Sequence, residues 1–176
     1  MSCKDGAVEI RPASSTALVA AAWVLLALLG GAQVYVHGTS ALRLTVLLAG
    51  FGYLAWRLFR RPAVHLDEHG VTAVNPFNEV AIPWTAVIDM DVKFGLRVVT
   101  PNGRHAAWGA PGRGNFARAG TMSEAERARR HWQALVEAGR IEAGIADEVP
   151  ATRTWDVAGI ATCLALLAGG LALALV

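Results

Sequence analysis

The feature that most constrains this chain is Ala17–Val36, a run of 20 residues with no charged side chain and with Gln33 as its only strongly polar member. A helix rises 1.5 Å per residue, so the run reaches about 30 Å, the thickness of one hydrocarbon core. Two more apolar stretches follow. Val157–Val176 is a second uncharged run of 20 residues, dominated by Leu and Ala. Leu42–Phe59 has 18 residues and carries Arg43 and Arg57 near its ends, leaving 13 uncharged residues, Leu44–Trp56, between them. For that segment to cross, both arginines must reach out to the headgroups. Apolar residues make up 54% of the chain and charged residues 17%, which displaces it from soluble domains toward the membrane class. A disordered chain is excluded.

The competing reading of the first run is a cleaved leader, with Lys4 and Arg11 as its basic region and Gly30-Gly31-Ala32 as a cleavage site. The run is longer than the ~7–15 residues of a leader core, and another apolar segment follows almost at once. A retained helix is therefore expected. The sequence predicts three transmembrane α-helices plus an α+β cytoplasmic domain. Its parts are an N-terminal cytoplasmic flank (1–16), a transmembrane hairpin (17–59, with spans 17–36 and 42–59), a domain (60–150) and a third transmembrane helix (155–176). Lys4, Arg11, Arg60, Arg61 and Arg153 flank the runs, while the loop His37–Ala41 has no Lys or Arg. That bias places the N-terminus and residues 60–154 in the cytoplasm of a multi-pass protein of the plasma (inner) membrane. Gly30-Gly31 and Gly169-Gly170 would let helices approach closely.

Residues 62–150 have a different character. In Ile88–Phe94 apolar residues hold every even position and charges every odd one, the pattern of a sheet with one wet face. Val80, Ile82 and Trp84 alternate in the same way. Ala63–Leu66 and Val71–Asn75 flank Asp67-Glu68-His69-Gly70 and read as a hairpin. Leu96–Thr100 and Arg104–Trp108 flank Asn102-Gly103, a strong hairpin signal. Pro83 marks an edge or a bulge. The inward set expected from this pattern is Trp84, Ile88, Met90, Val92 and Leu96. Gly109–Gly120 reads as a loop, and Ser123-Glu124-Ala125-Glu126 as a capping box opening an amphipathic helix that ends near Gly139. Six short strands followed by one helix, with Trp132 packed on the sheet, is the expected order.

Asn75-Pro76-Phe77, Val80-Ala81-Ile82-Pro83-Trp84, Gly95-Leu96, the Asn102-Gly103 hairpin and Trp108 together resemble a bacterial pleckstrin-homology-like (PH-like) domain, of the actinobacterial low-molecular-weight protein antigen 6 type. The likeness covers residues 62–115 and the helix beyond them. It implies a curved antiparallel sheet capped by a C-terminal helix, and no enzymatic activity or cofactor. Asn75, Pro76, Phe77, Pro83, Trp84, Gly95 and Trp108 would then be structural. Asn78-Glu79 stand where this kind of domain often has an arginine pair, which weighs against a basic contact there.

The residues offer little chemistry of their own. His65 and His69 are four apart, a zinc-ligand spacing on a helix, but Gly70 and the flanking strands put them on a hairpin. Asp89 and Asp91 share a strand face with no third ligand in view. Gly112-Arg113-Gly114 lacks the ending of a phosphate-binding loop. Cys3 and Cys163 are too few for a disulfide framework, and a formal charge of +2 gives no reason to expect nucleic acid. Charge is distributed unevenly instead. Residues 62–92 hold five acids and no Lys or Arg, whereas 93–130 hold eight bases against Glu124 and Glu126. A basic stretch near membrane tethers suggests anionic phospholipid as a partner, with Arg113 and Arg118 as the expected contacts. The functional expectation is a non-enzymatic, membrane-anchored binding or scaffolding module that contacts a membrane-protein partner or anionic headgroups. The rival is a component of a transport or channel assembly.

Overall fold

The structure, a computed structural model, describes residues 3–4, 7–12, 15–112, 122–141 and 150–175. The chain divides into two compact units, Met1–Pro12 with Pro62–Trp155 and Ala13–Arg61 with Asp156–Val176.

The first unit is built from two antiparallel sheets. One has six strands in the order β1 (Cys3–Lys4), β2 (Ala7–Ile10), β3 (Ala63–Leu66), β4 (Gly70–Val74), β5 (Asn78–Pro83) and β9 (Thr152–Trp155). The other has three, β6 (Asp89–Asp91), β7 (Leu96–Thr100) and β8 (Gly103–Ala107). Strands β3 to β8 are the six that alternation predicts. Their inward residues form one core of Val64, Leu66, Val71, Val80, Ile82, Met90, Leu96 and Val98. Helix α3 (Glu124–Glu137) adds Ala125, Ala128 and Trp132 to that core. The helix begins as its sequence dictates: Glu126 N–H donates to Ser123 Oγ at 3.2 Å, and Ser123 N–H donates to Glu126 Oε2 at 2.8 Å.

Two local expectations need correction. Ile88 is 43% exposed, because Val87 fills the inward position after the short Trp84–Ala86 turn and β6 begins only at Asp89. Val92, as expected, packs against the core, though only partly buried. In the β7–β8 hairpin Thr100 pairs with Gly103, so Pro101 and Asn102 are the two loop residues and Gly103, at φ 135°, already belongs to the strand. The fixed φ of proline suits the first loop position. The N-terminal flank also holds more structure than its sequence suggests, since Val8, Glu9 and Ile10 pair with Leu66, His65 and Val64.

The second unit contains α1 (Ser15–His37), α2 (Leu42–Phe59) and α4 (Val157–Leu175), with α2 packed against both others. Three transmembrane spans are not supported. Among the described residues one helix, Thr16–His37, is long and apolar enough to cross a membrane, with mean hydropathy 2.1. Val157–Leu173 is a shorter apolar helix, so the expected span 155–176 does not stand, and neither does the expected span 42–59. The physical reason for the latter is visible at Arg57. Its side chain is buried and donates from Nη2 to Asp156 Oδ2 at 2.7 Å, instead of reaching outward from the end of an apolar rod. Arg61 meets the same oxygen at 3.1 Å. The Gly159 N–H, and then the Arg57 guanidinium, hold the Asp156 carboxyl below its ordinary pKa. Of the glycine pairs, Gly170 lies against the Leu47 backbone, and nothing approaches Gly31 or Gly169.

Candidate binding surface

The motif residues serve the fold. Asn75 is buried in the β4–β5 turn, and its Nδ2 donates to Asn78 Oδ1 at 3.1 Å and to Ala106 O on β8 at 3.2 Å. Its Oδ1 accepts the Trp108 N–H at 3.0 Å. One amide thus bolts the two sheets together. Pro76 is buried beside it and Phe77 is half-buried. Pro83 closes β5 opposite Gly70. Trp84 is buried and donates from its indole to Asp67 O at 2.8 Å. Gly95, at φ 125°, turns the chain into β7, and Gly112 lies directly against it. At Gly109 a Cβ would overlap the Ala63 backbone, so only glycine allows this close approach of the end of β8 to the start of β3. Trp108 differs from the rest of the motif, being 59% exposed.

On the smaller sheet, charge segregated along the sequence is mixed in space. Strand pairing sets Asp91 of β6 directly opposite Arg97 of β7, and Asp89 opposite Val99, whose other neighbour is Arg104. Arg129 of α3 reaches Asp89 at 3.8 Å, and Arg127 reaches Glu124 at 3.3 Å. On the smaller sheet, acids and bases therefore interleave on one wet face. Arg113 and Arg118, the expected lipid contacts, lie outside the described residues.

Titratable groups do not converge. His65 sits mid-strand opposite Thr72 and Glu9, while His69 is out on the turn, 4.0 Å from Asp67. Among the described residues no group of three His, Cys, Asp or Glu side chains could hold a metal ion. Burial and the nearby Arg153 charge lower the pKa of His105. Its Nε2 lies 3.3 Å from Thr100 Oγ1, and its buried Nδ1 has no hydrogen-bond partner among the described residues.

The unit's exposed aromatics form the most distinctive surface. Phe94 is 77% exposed, Trp108 59% and Trp155 57%. Phe94 lies in the β6–β7 turn beside Gly95 and Gly112, and the Leu96 N–H that follows donates to Ala110 O at 2.9 Å. Trp108 follows Ala107, which pairs with Leu96, so it stands at the same end of the smaller sheet as Phe94. The Asn75 bond links Trp108 to the β4–β5 turn, where Asn78 pairs with Trp155. All three rings therefore gather at one end of the unit. Two have a cation over them, with Lys93 Nζ 5.3 Å from the Phe94 ring and Arg153 Cζ 5.9 Å from that of Trp155. Sequence reading took Phe94 only as a strand position and Arg153 only as a flanking charge, and passed over Trp155. The one available signal was a Trp placed immediately before an apolar helix, the usual setting of an interfacial aromatic.

Two antiparallel sheets closed by one helix define a PH-like domain. The model of the family described as Bacterial PH domain matches residues 61–148, half of the 176-residue chain. The protein belongs to the bacterial PH-domain family. No curated protein and no solved structure gives a significant match.

Proposed function

We propose that the protein is a non-enzymatic binding or scaffolding module held at the inner leaflet of the plasma membrane, where it contacts a membrane-protein partner or anionic headgroups. The observation that carries this reading is that α1, whose apolar window is only 6% buried, starts four residues after β2, a strand of the PH-like unit's larger sheet. A core helix of a soluble protein would be mostly covered. The absence of a catalytic step from the proposal rests on analogy of fold, which is a weaker warrant than a site. The cytoplasmic placement rests on Arg60, Arg61 and Arg153. The finer likeness to the antigen 6 type rests on the run from Asn75 to Trp108.

Fractionation of the full chain tests the membrane reading. Leu25 and Leu28 are exposed on α1, and lysine near the centre of an inserted helix costs about 2.5–3.5 kcal/mol. The wild type should stay with membranes through an alkaline wash, and Leu25→Lys/Leu28→Lys should be released. Wild-type protein in the supernatant would refute the membrane reading.

A further inference from the structure

We infer that the aromatic end of the PH-like unit, carrying Phe94, Trp108 and Trp155, lies in the headgroup region of the bilayer. This rests on the proposed membrane association and adds to it the face presented to lipid. Three observations support it.

The first is where the chain leaves the unit. Strand β2 ends at Ile10 beside Val64, β3 starts at Ala63, and β9 ends at Trp155 opposite Asn78. All three exits are at the end of the larger sheet that holds the β4–β5 turn, which is the end bearing Trp108 and Trp155. The second is reach. A chain extends at most ~3.6 Å per residue. Ile10 of β2 is five steps from Ser15, the start of α1, about 18 Å at most. The headgroup layer on each side of a bilayer is itself about 5–8 Å deep. With α1 in lipid, this exit keeps its end of the unit within that reach of the bilayer surface.

The third is chemistry. Every exposed aromatic among the described residues of this unit is at this end, while Trp84 and Trp132 are buried. Trp is enriched at membrane–water interfaces because its ring is apolar and its N–H polar. Lys93 and Arg153 over two of the rings supply the cationic tip that snorkelling side chains offer to phosphates. The opposite end has the β3–β4 and β7–β8 turns, with exposed His69 and Asn102 and no exposed aromatic. A surface meant for general solvent has no reason to sort its rings in this way.

Spin labels on the full chain test the inference. Single cysteines replace Phe94, Trp108, Trp155, His69 or Asn102 in a background with Cys3→Ser and Cys163→Ala, reconstituted in phosphatidylcholine vesicles with and without phosphatidylglycerol. All five positions are exposed, so the core is untouched. The three labels at the aromatic end should collide several-fold less with an aqueous nickel chelate than those at 69 and 102, and more with oxygen. Because the contact is aromatic, the contrast should persist in the neutral vesicles. Nickel access at 94, 108 and 155 equal to that at 69 and 102, in protein that co-sediments with vesicles, would overturn the inference alone and assign these rings to a protein partner. Failure to co-sediment would overturn the membrane reading as well.

Discussion

Replacing Asn75 with Ala tests whether a single side chain holds the two sheets in register. In the wild type its amide satisfies the Ala106 carbonyl and the Trp108 N–H on one sheet and the Asn78 side chain on the other. Alanine leaves all three without that partner. A buried polar group that loses its hydrogen bond costs about 1–3 kcal/mol. Ala106 and Trp108 have exposed side chains, so water can reach part of this site and the low end applies to each group. The sum is about 2–4 kcal/mol, a large share of the 5–15 kcal/mol that typically holds a domain together. Each 1.4 kcal/mol is tenfold in an opening equilibrium, so the Trp108 amide should exchange with solvent roughly thirtyfold to a thousandfold faster. Hydrogen exchange on the full chain in detergent micelles reads this directly, with α3 as the internal reference. Asn75→Asp sharpens the test. It keeps the acceptor for Trp108 but sets a carboxylate against the Ala106 carbonyl, so it should be at least as damaging at neutral pH. It should recover as pH falls through the carboxylate range, about 4, where the acid can donate again. Trp108 exchange unchanged in Asn75→Ala would refute the bolt.

Two further outcomes follow from the same geometry. Gly109→Ala drives a methyl into the Ala63 backbone, which cannot move aside as a side chain would. It should lower stability by about 1–3 kcal/mol or more in thermal melts, with Gly103→Ala as a comparison where space is open but φ is unfavourable. His105 is held neutral by burial and by Arg153, so the unfolded chain binds its proton more readily than the folded one. Stability should therefore be full above the ordinary histidine value of about 6.5 and decline as pH falls below it. His105→Gln should flatten that slope, and an unchanged slope would assign it to another group.

The sequence exposes most of what is local. Alternation marks the strands because one face of each is wet, and Ser123 with Glu126 marks the start of α3 because helix N–H groups need acceptors there. Ile88 misleads because alternation carries no information about a preceding turn that resets the phase. Pairings between distant segments are less legible. Ala7–Ile10 is too short to signal a strand, and becomes one because β3 offers it an edge. Arg57 looks like a residue at the end of a span until its partner is seen 99 positions away. The charge blocks mislead for the same reason: antiparallel pairing of β6 with β7 sets acid opposite base, so a net charge counted along the chain says nothing about a face. The aromatic end escapes sequence reading because its three rings come from three separate turns and strand ends. Arg113 and Arg118 fall outside the described residues, so headgroup contact there stays a proposal.

The strand pairing also constrains placement in a way that counting arginines does not. Strands β2, β3 and β9 belong to one hydrogen-bonded sheet, with Glu9 beside His65 and Thr154 beside Glu79. A sheet cannot form through a bilayer, so residues 7–10, 63–107 and 152–155 occupy one compartment. Whatever path residues 13–61 take, they begin and end on the same side. The same sheet fixes the exits relative to one another. From β3 to β9 there are three strand spacings of about 4.8 Å, so those two exits are about 14 Å apart and cannot splay without breaking β4 or β5.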